Sequence, residues 1–163
     1  MLSPALLEHA AAVLDACRSR GLRLATAESC TGGLIVAALT AIDGSSDVVD
    51  RGFIAYSNDA KTDLVGVPAE LIAGHGAVSE AVAAAMATGA LTRSRAQIAV
   101  SATGLAGPGG GSAQKPVGLV WIGLAQRDHP VSAERHVFSG DRAAVRAAAV
   151  AHALMMIRAR VSP

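Results

Sequence analysis

The 163-residue sequence is poor in aromatic residues, cysteine and charge. It contains one Trp, one Tyr, two Phe and two Cys, and its 14 basic and 13 acidic side chains are dispersed. Nucleic-acid binding usually requires a broad basic face with aromatic residues for stacking, so we expect no nucleic-acid partner. Cys17 and Cys30 lie in unlike contexts, which argues against a disulfide framework or a zinc cluster. Because no metal-ligand cluster is visible in the sequence, we expect no metal and no other cofactor.

Long hydrophobic runs are also missing. The apolar stretches fall short of the roughly 20 residues that a membrane helix needs, and the first 20 residues carry Glu8 and Asp15 within a helical pattern. We therefore expect no membrane span and no signal peptide, and a reducing cytoplasm is the simplest location. Apolar residues still make up 52% of the chain. This content and the chain length predict one domain, residues 1–163, with a well-formed core.

The spacing of apolar residues predicts an α/β fold. Strands are expected at 22–27, 52–56, 97–102, 117–125 and 131–138. Helices are expected at 4–20, 34–39, 68–73, 80–91 and 141–161. A further short helix, capped by Ser57 or Asn58, should end at residue 64. Because a short turn joins the last two strands, they should pair antiparallel. The order of elements predicts a three-layer α/β/α sandwich with a mixed five-stranded sheet.

The segment 26–33, TAESCTGG, turns a strand sharply into a helix. Such a turn places the hydroxyl of Ser29 at the helix start, among backbone N–H groups that lack partners. A serine in this position is either the helix N-cap or a nucleophile. Thr31 is equally well placed to cap, and Gly32 and Gly33 would let a substrate approach the backbone. The residues of this segment leave both interpretations open.

A nucleophilic serine needs a base, and Lys61 is the best candidate for it. It lies in the first turns of the helix after Tyr56, near the end of a strand, where α/β proteins collect ligands. A lysine that is partly desolvated can act as a base near neutral pH, although most helix lysines are solvated and inert. No histidine lies in a segment that resembles the Ser29 turn.

A glycine-rich loop, 103–111 (TGLAGPGGG), follows another strand. Its glycine spacing fits neither a Rossmann fingerprint nor a P-loop. Its backbone N–H groups indicate an anion nest or an oxyanion hole, and a flexible crossover loop is the alternative. Arg142 opens the last helix, where it would hold a phosphate well, although a plain surface arginine fits the same pattern.

Taken together, these motifs resemble the CinA C-terminal domain family. The matching segments are 26–33, 56–61 (YSNDAK), 75–80 (HGAVSE), 103–111, 115–118 (KPVG) and 140–142 (GDR), and the resemblance to the stand-alone form of this domain spans residues 4–161. It implies a fold like that of the anticodon-binding-domain group, a metal-free site and a homodimer. It also implies hydrolysis of nicotinamide mononucleotide to nicotinate mononucleotide and ammonia.

The resemblance also implies roles for individual residues. Ser29 would be the nucleophile, Lys61 its base, and Tyr56 would orient or relay the proton. The expected substrate-binding residues are Cys30, Thr31, Gly32, Gly33, Asn58, Thr103, Gly104, Gly107 and Arg142, with the oxyanion hole formed by N–H groups of residues 30–33 or Gly104. Thr31 would then be the helix cap. The alternatives are a non-catalytic module linked to competence and DNA damage, and an amidase for another pyridine or nucleotide amide.

Overall fold

Alternating strand and helix patterns place a five-stranded sheet between two layers of helices in the computed structural model, which describes residues 2–162. The strands are β1 (Leu24–Glu28), β2 (Val49–Ile54), β3 (Ile98–Gly104), β4 (Leu119–Gln126) and β5 (Ser132–Val137), and the helices are α1 (Pro4–Ser19), α2 (Leu34–Thr40), α3 (Asn58–Val65), α4 (Ala69–His75), α5 (Glu80–Thr92) and α6 (Arg142–Val161). The predicted α/β/α sandwich is confirmed.

The sheet is mixed, in the order β2-β1-β3-β4-β5. Strand β1 runs parallel to both β2 and β3, whereas β3–β4 and β4–β5 are antiparallel, as predicted for the last pair. The carboxyl ends of β1, β2 and β3 therefore meet at one edge of the sheet. Ser29 follows β1 and Tyr56 follows β2 at this edge. Strand β3 runs two residues further than expected, so Thr103 and Gly104 belong to the strand and not to the glycine-rich loop.

Alternate residues of each strand face opposite layers. On β1, Leu24 packs into the core beneath α1, α2 and α6, whereas Ala25 and Ala27 pack into the core beneath α3, α4 and α5. Glu28 has the same parity as Leu24, so its side chain points toward the layer that contains α2. Strand β3 shows the same alternation, because the Ser101 hydroxyl donates to the Ala83 carbonyl of α5 (2.6 Å).

Side-chain caps fix the start of several helices. Ser57 accepts from the Ala60 N–H (3.0 Å) and begins α3, so Ser57 is the cap and Asn58 is not. Asp141 accepts from the Ala144 N–H (2.9 Å) and begins α6. Within residues 2–162, no helix combines the length and apolar character needed to cross a membrane.

Candidate active site

A buried glutamate caps helix α2. The Glu28 carboxylate is fully buried and accepts from the N–H groups of Gly33 (3.0 Å), Ile35 (3.0 Å) and Val36 (2.9 Å). The prediction that Thr31 caps α2 was wrong, because the Thr31 hydroxyl is buried without a hydrogen-bond partner among the described residues. Glu28 occupies the N–H groups that a cap would use, so the Ser29 hydroxyl is also free of this role. The sequence analysis assigned Glu28 no role, although the alternation along β1 could have indicated that its side chain points toward α2.

Ser29 and Lys61 are brought together at the carboxyl edge of the sheet. Lys61 Nζ lies 3.1 Å from Ser29 Oγ and donates to the Tyr56 carbonyl at 3.0 Å. The Ser29 hydroxyl is 3.4 Å from the same carbonyl. Ser29 retains 8% of its surface exposed, so its hydroxyl is nearly enclosed. The predicted juxtaposition of serine and lysine is therefore present.

The surroundings of Lys61 favour its neutral form. The side chain is only 2% exposed, and within residues 2–162 no carboxylate forms an ion pair with it. Burial lowers the pKa of the Lys61 amine, and the nearby Cys30 thiol opposes this effect to a smaller extent. A neutral amine has a lone pair, so it can accept the proton of a hydroxyl at hydrogen-bond distance.

Two backbone N–H groups next to Ser29 remain without internal partners. The Gly32 N–H donates to the Ser29 carbonyl (3.0 Å), and the Gly33 N–H donates to Glu28. The N–H groups of Cys30 and Thr31 have no hydrogen-bond partner among the described residues. Of the predicted oxyanion-hole donors in 30–33, these two can therefore bind a ligand.

Arg146 fixes the orientation of this turn. Its Nε donates to the Cys30 carbonyl (3.1 Å) and its Nη2 to the Thr31 carbonyl (3.0 Å). In a trans peptide the N–H points opposite to the C=O, so the Thr31 N–H is directed away from Arg146. The sequence analysis did not assign Arg146 a role, although its position four residues after Arg142 places both on one face of α6.

Tyr56 contributes its backbone more directly than its side chain. Its carbonyl contacts Ser29 and Lys61, whereas the side chain is 60% exposed and its hydroxyl accepts from Arg142 Nη2 (3.4 Å). These contacts do not support a proton relay through the phenol. Asn58 is exposed at the start of α3, and its predicted contact with substrate stays a prediction.

Two predicted substrate contacts lie inside the protein. Thr103 is 1% exposed and its hydroxyl donates to the Ala77 carbonyl (2.8 Å), so it joins β3 to the segment before α5 and is not available to a nucleotide. Cys30 is 6% exposed, and burial raises the pKa of its thiol to about 11. Its side chain is therefore protonated at neutral pH, and only its backbone faces the site.

The predicted contact Gly104 lies at the end of β3, where it pairs with Val120 in the β3–β4 ladder.

Small-ligand sites typically have volumes of about 300–1,000 Å³, and a cavity of ≈ 610 Å³ opens where the glycine-rich loop meets the start of α6. It is lined by Ala106, Pro108, Val117, Gly140, Asp141, Arg142, Ala143 and Arg146. Arg142 Nη1 donates to the Gly107 carbonyl (2.9 Å), which brings the predicted Gly107 and Arg142 together. Two guanidinium groups make this cavity suited to an anion, and the Asp141 carboxylate at its edge is engaged in capping α6.

Comparisons with known proteins show which family the chain resembles. The family model described as the CinA C-terminal domain matches residues 7–161. The chain is 48% identical over 157 residues to the nicotinamide-nucleotide amidohydrolase PncC of Escherichia coli (strain K12), a match that covers 96% of the chain and 95% of that protein. It is 50% identical over 149 residues to a putative competence-damage inducible protein of Caldicellulosiruptor bescii, covering 91% of the chain but only 36% of that longer protein.

The crystal structure of the competence/damage inducible protein CihA from Agrobacterium tumefaciens has the same fold. It superposes with a TM-score of 0.95 at 49% sequence identity, and the match covers 98% of this chain and 97% of that one. The family model spans nearly all the described residues, and the match to PncC extends over nearly the full length of both proteins. The chain therefore belongs to the CinA C-terminal domain family.

Proposed function

We propose that this protein hydrolyses the carboxamide of nicotinamide mononucleotide, giving nicotinate mononucleotide and ammonia. The observation that carries the proposal is the buried Lys61 amine, without a carboxylate partner among the described residues and 3.1 Å from Ser29 Oγ. A serine–lysine pair of this kind activates a hydroxyl for attack on an amide. The substrate is inferred from the relative that is named nicotinamide-nucleotide amidohydrolase.

In the first step the neutral Lys61 amine takes the Ser29 proton as Oγ attacks the carboxamide carbon. The resulting ammonium keeps its hydrogen bond to the Tyr56 carbonyl, which is 3.0 Å away. The negative charge on the carboxamide oxygen would be held by the N–H groups of Cys30 and Thr31. One such donor typically contributes about 3–4 kcal/mol to the stability of the transition state.

The tetrahedral intermediate then collapses. The carbon–nitrogen bond breaks, Lys61 returns its proton to the leaving nitrogen, and ammonia departs to leave an ester on Ser29. Water next attacks the ester carbon and gives a proton to Lys61. When the carbon–oxygen bond to Ser29 breaks, this proton returns to Oγ, and nicotinate mononucleotide is released with the enzyme restored.

The phosphate of the substrate would occupy the cavity at the start of α6. Arg142 and Arg146 line this cavity, and their other contacts reach Tyr56 and Cys30. The same two arginines thus connect the anion site with the residues around Ser29. The homodimer implied by the family resemblance stays a prediction, which sedimentation of the purified protein would test.

Ammonia release from nicotinamide mononucleotide tests the proposal. We expect release by the wild type, and losses of at least about a hundredfold in Ser29→Ala and in Lys61→Met, because each removes a group that makes or breaks bonds. Lys115→Met is the matched control, since Lys115 is the only other lysine in the sequence and its amine donates to the His75 carbonyl instead. No ammonia from the wild type would favour a non-catalytic module. Full activity in Ser29→Ala would reject the mechanism alone.

A further inference from the structure

Three side chains with metal-binding atoms lie close together beside the middle of helix α6, away from the cavity at the start of this helix. Glu134 and His136 are two residues apart on β5, so they share a face of the strand, and His152 faces them from α6. Their ligand atoms all lie within 4.8 Å of one another. No metal was expected from the sequence, because a strand pair and a histidine 16 residues later match no ligand motif. The fold alone brings these residues together.

The separations fit the edges of a metal coordination sphere. The Nε2 atoms of His136 and His152 lie 3.2 Å and 3.1 Å from the same atom, Glu134 Oε2. Ligands about 2.0–2.2 Å from a tetrahedral zinc ion are roughly 3.3–3.6 Å from each other. The two separations from Glu134 are close to this range, and the ligand atoms of the two histidines lie within 4.8 Å of each other.

The charge and packing of the cluster also suit a cation. Within residues 2–162 no lysine or arginine forms an ion pair with Glu134, whose carboxylate meets only the two histidines. The His136 ring stacks on Phe138 (centroids 5.4 Å apart, planes at 12°), which holds its orientation. A cavity of ≈ 380 Å³ beside Glu134 and His152 leaves room for water at a fourth coordination position.

We propose that Glu134, His136 and His152 form a zinc site that joins the edge strand β5 to helix α6. Two imidazoles and one carboxylate are a ligand set that zinc accepts in a tetrahedral arrangement completed by water. His152 lies ten residues beyond Arg142, about 15 Å along the helix axis, so the ion would sit apart from Ser29 and Lys61. Its effect would be structural, because it ties together two elements that are distant in sequence.

Titration of the full, tag-free chain with zinc chloride tests this site, and cobalt(II) absorption reports the coordination. We expect one zinc per chain, a melting temperature that rises with zinc, and the intense visible absorption of tetrahedral cobalt. His152→Gln and Glu134→Gln should each weaken zinc binding at least about tenfold and reduce the rise in melting temperature. His129→Gln, which changes an exposed histidine in the β4–β5 turn, should bind zinc like the wild type.

A folded His136→Gln/His152→Gln double variant, verified by circular dichroism, distinguishes this site from adventitious zinc. Loss of the saturable binding and of the cobalt spectrum in this variant supports the proposal. Wild-type zinc affinity in the double variant would overturn it, and so would the absence of saturable zinc binding in the wild type.

Discussion

Replacement of Glu28 by glutamine should destabilise the protein far more than the small chemical change suggests. In the structure Oε2 accepts from the N–H groups of Gly33 and Ile35, and Oε1 accepts from the Val36 N–H and the Thr26 hydroxyl (3.1 Å). Glutamine keeps the shape but has a single acceptor oxygen. If its NH₂ group takes the place of Oε2, two backbone donors lose their acceptor. If it takes the place of Oε1, one does.

The smaller of these losses sets the expected magnitude. One buried N–H without a partner costs about 1–3 kcal/mol. Loss of the negative charge at the start of α2 removes up to about 2 kcal/mol more, because the helix N-terminus favours an anion. The free energy of unfolding should therefore fall by about 1–5 kcal/mol, which corresponds to a melting temperature lower by roughly 2–20 °C for a chain of this size.

Urea unfolding followed by circular dichroism measures this change. Glu8→Gln is the matched control, because Glu8 is exposed on α1, and its unfolding free energy should stay within about 0.5 kcal/mol of the wild type. A loss below about 1 kcal/mol in Glu28→Gln would refute the argument, since that value is what an ordinary exposed cap contributes.

Three further predictions concern neighbouring residues. Thr31→Val should leave the unfolding free energy unchanged or raise it by about 1 kcal/mol, because it removes a buried hydroxyl without a partner among the described residues. Urea unfolding measures this change, and a decrease of about 1 kcal/mol would mean that Thr31 caps α2 after all. Burial lowers the pKa of Lys61 in the folded protein. At pH values between this lowered pKa and 10.5, the unfolded chain therefore binds more protons than the folded protein. Relative to Lys61→Met, the unfolding free energy of the wild type should rise with pH up to about 10.5, and a constant difference across the alkaline range would contradict this. Arg142→Ala should raise KM for nicotinamide mononucleotide at least about tenfold with little effect on nicotinamide riboside, and equal effects on both would exclude a phosphate contact.

The sequence predicted the parts of the site that depend on strand ends. Parallel strands bring their carboxyl ends to one edge, so residues that follow β1 and β2 are neighbours whatever the details of packing. Ser29 and the Tyr56 carbonyl meet for this reason. Lys61 joins them because it lies one turn after the Ser57 cap of α3.

Other features depend on side-chain directions that local patterns do not determine. The exposed side chain of Tyr56, the inward hydroxyl of Thr103 and the contact of Arg146 with the Ser29 turn follow from which face each element turns to its neighbours. Glu28 was missed because a charged residue at a strand end normally indicates solvent. Here its charge is matched by the N–H groups of a helix that begins beside it.

The central claim is that burial lowers the pKa of the Lys61 amine in the folded protein, which makes this amine a better acceptor for the Ser29 proton. Only two lysines occur in the sequence, so lysine labelled with ¹³C at Cε gives two side-chain signals, and Lys61→Met identifies the one from Lys61. A pH titration by NMR then measures the pKa directly. We predict a midpoint for Lys61 below the ordinary value of 10.5, and a midpoint at or above 10.5 would contradict the account.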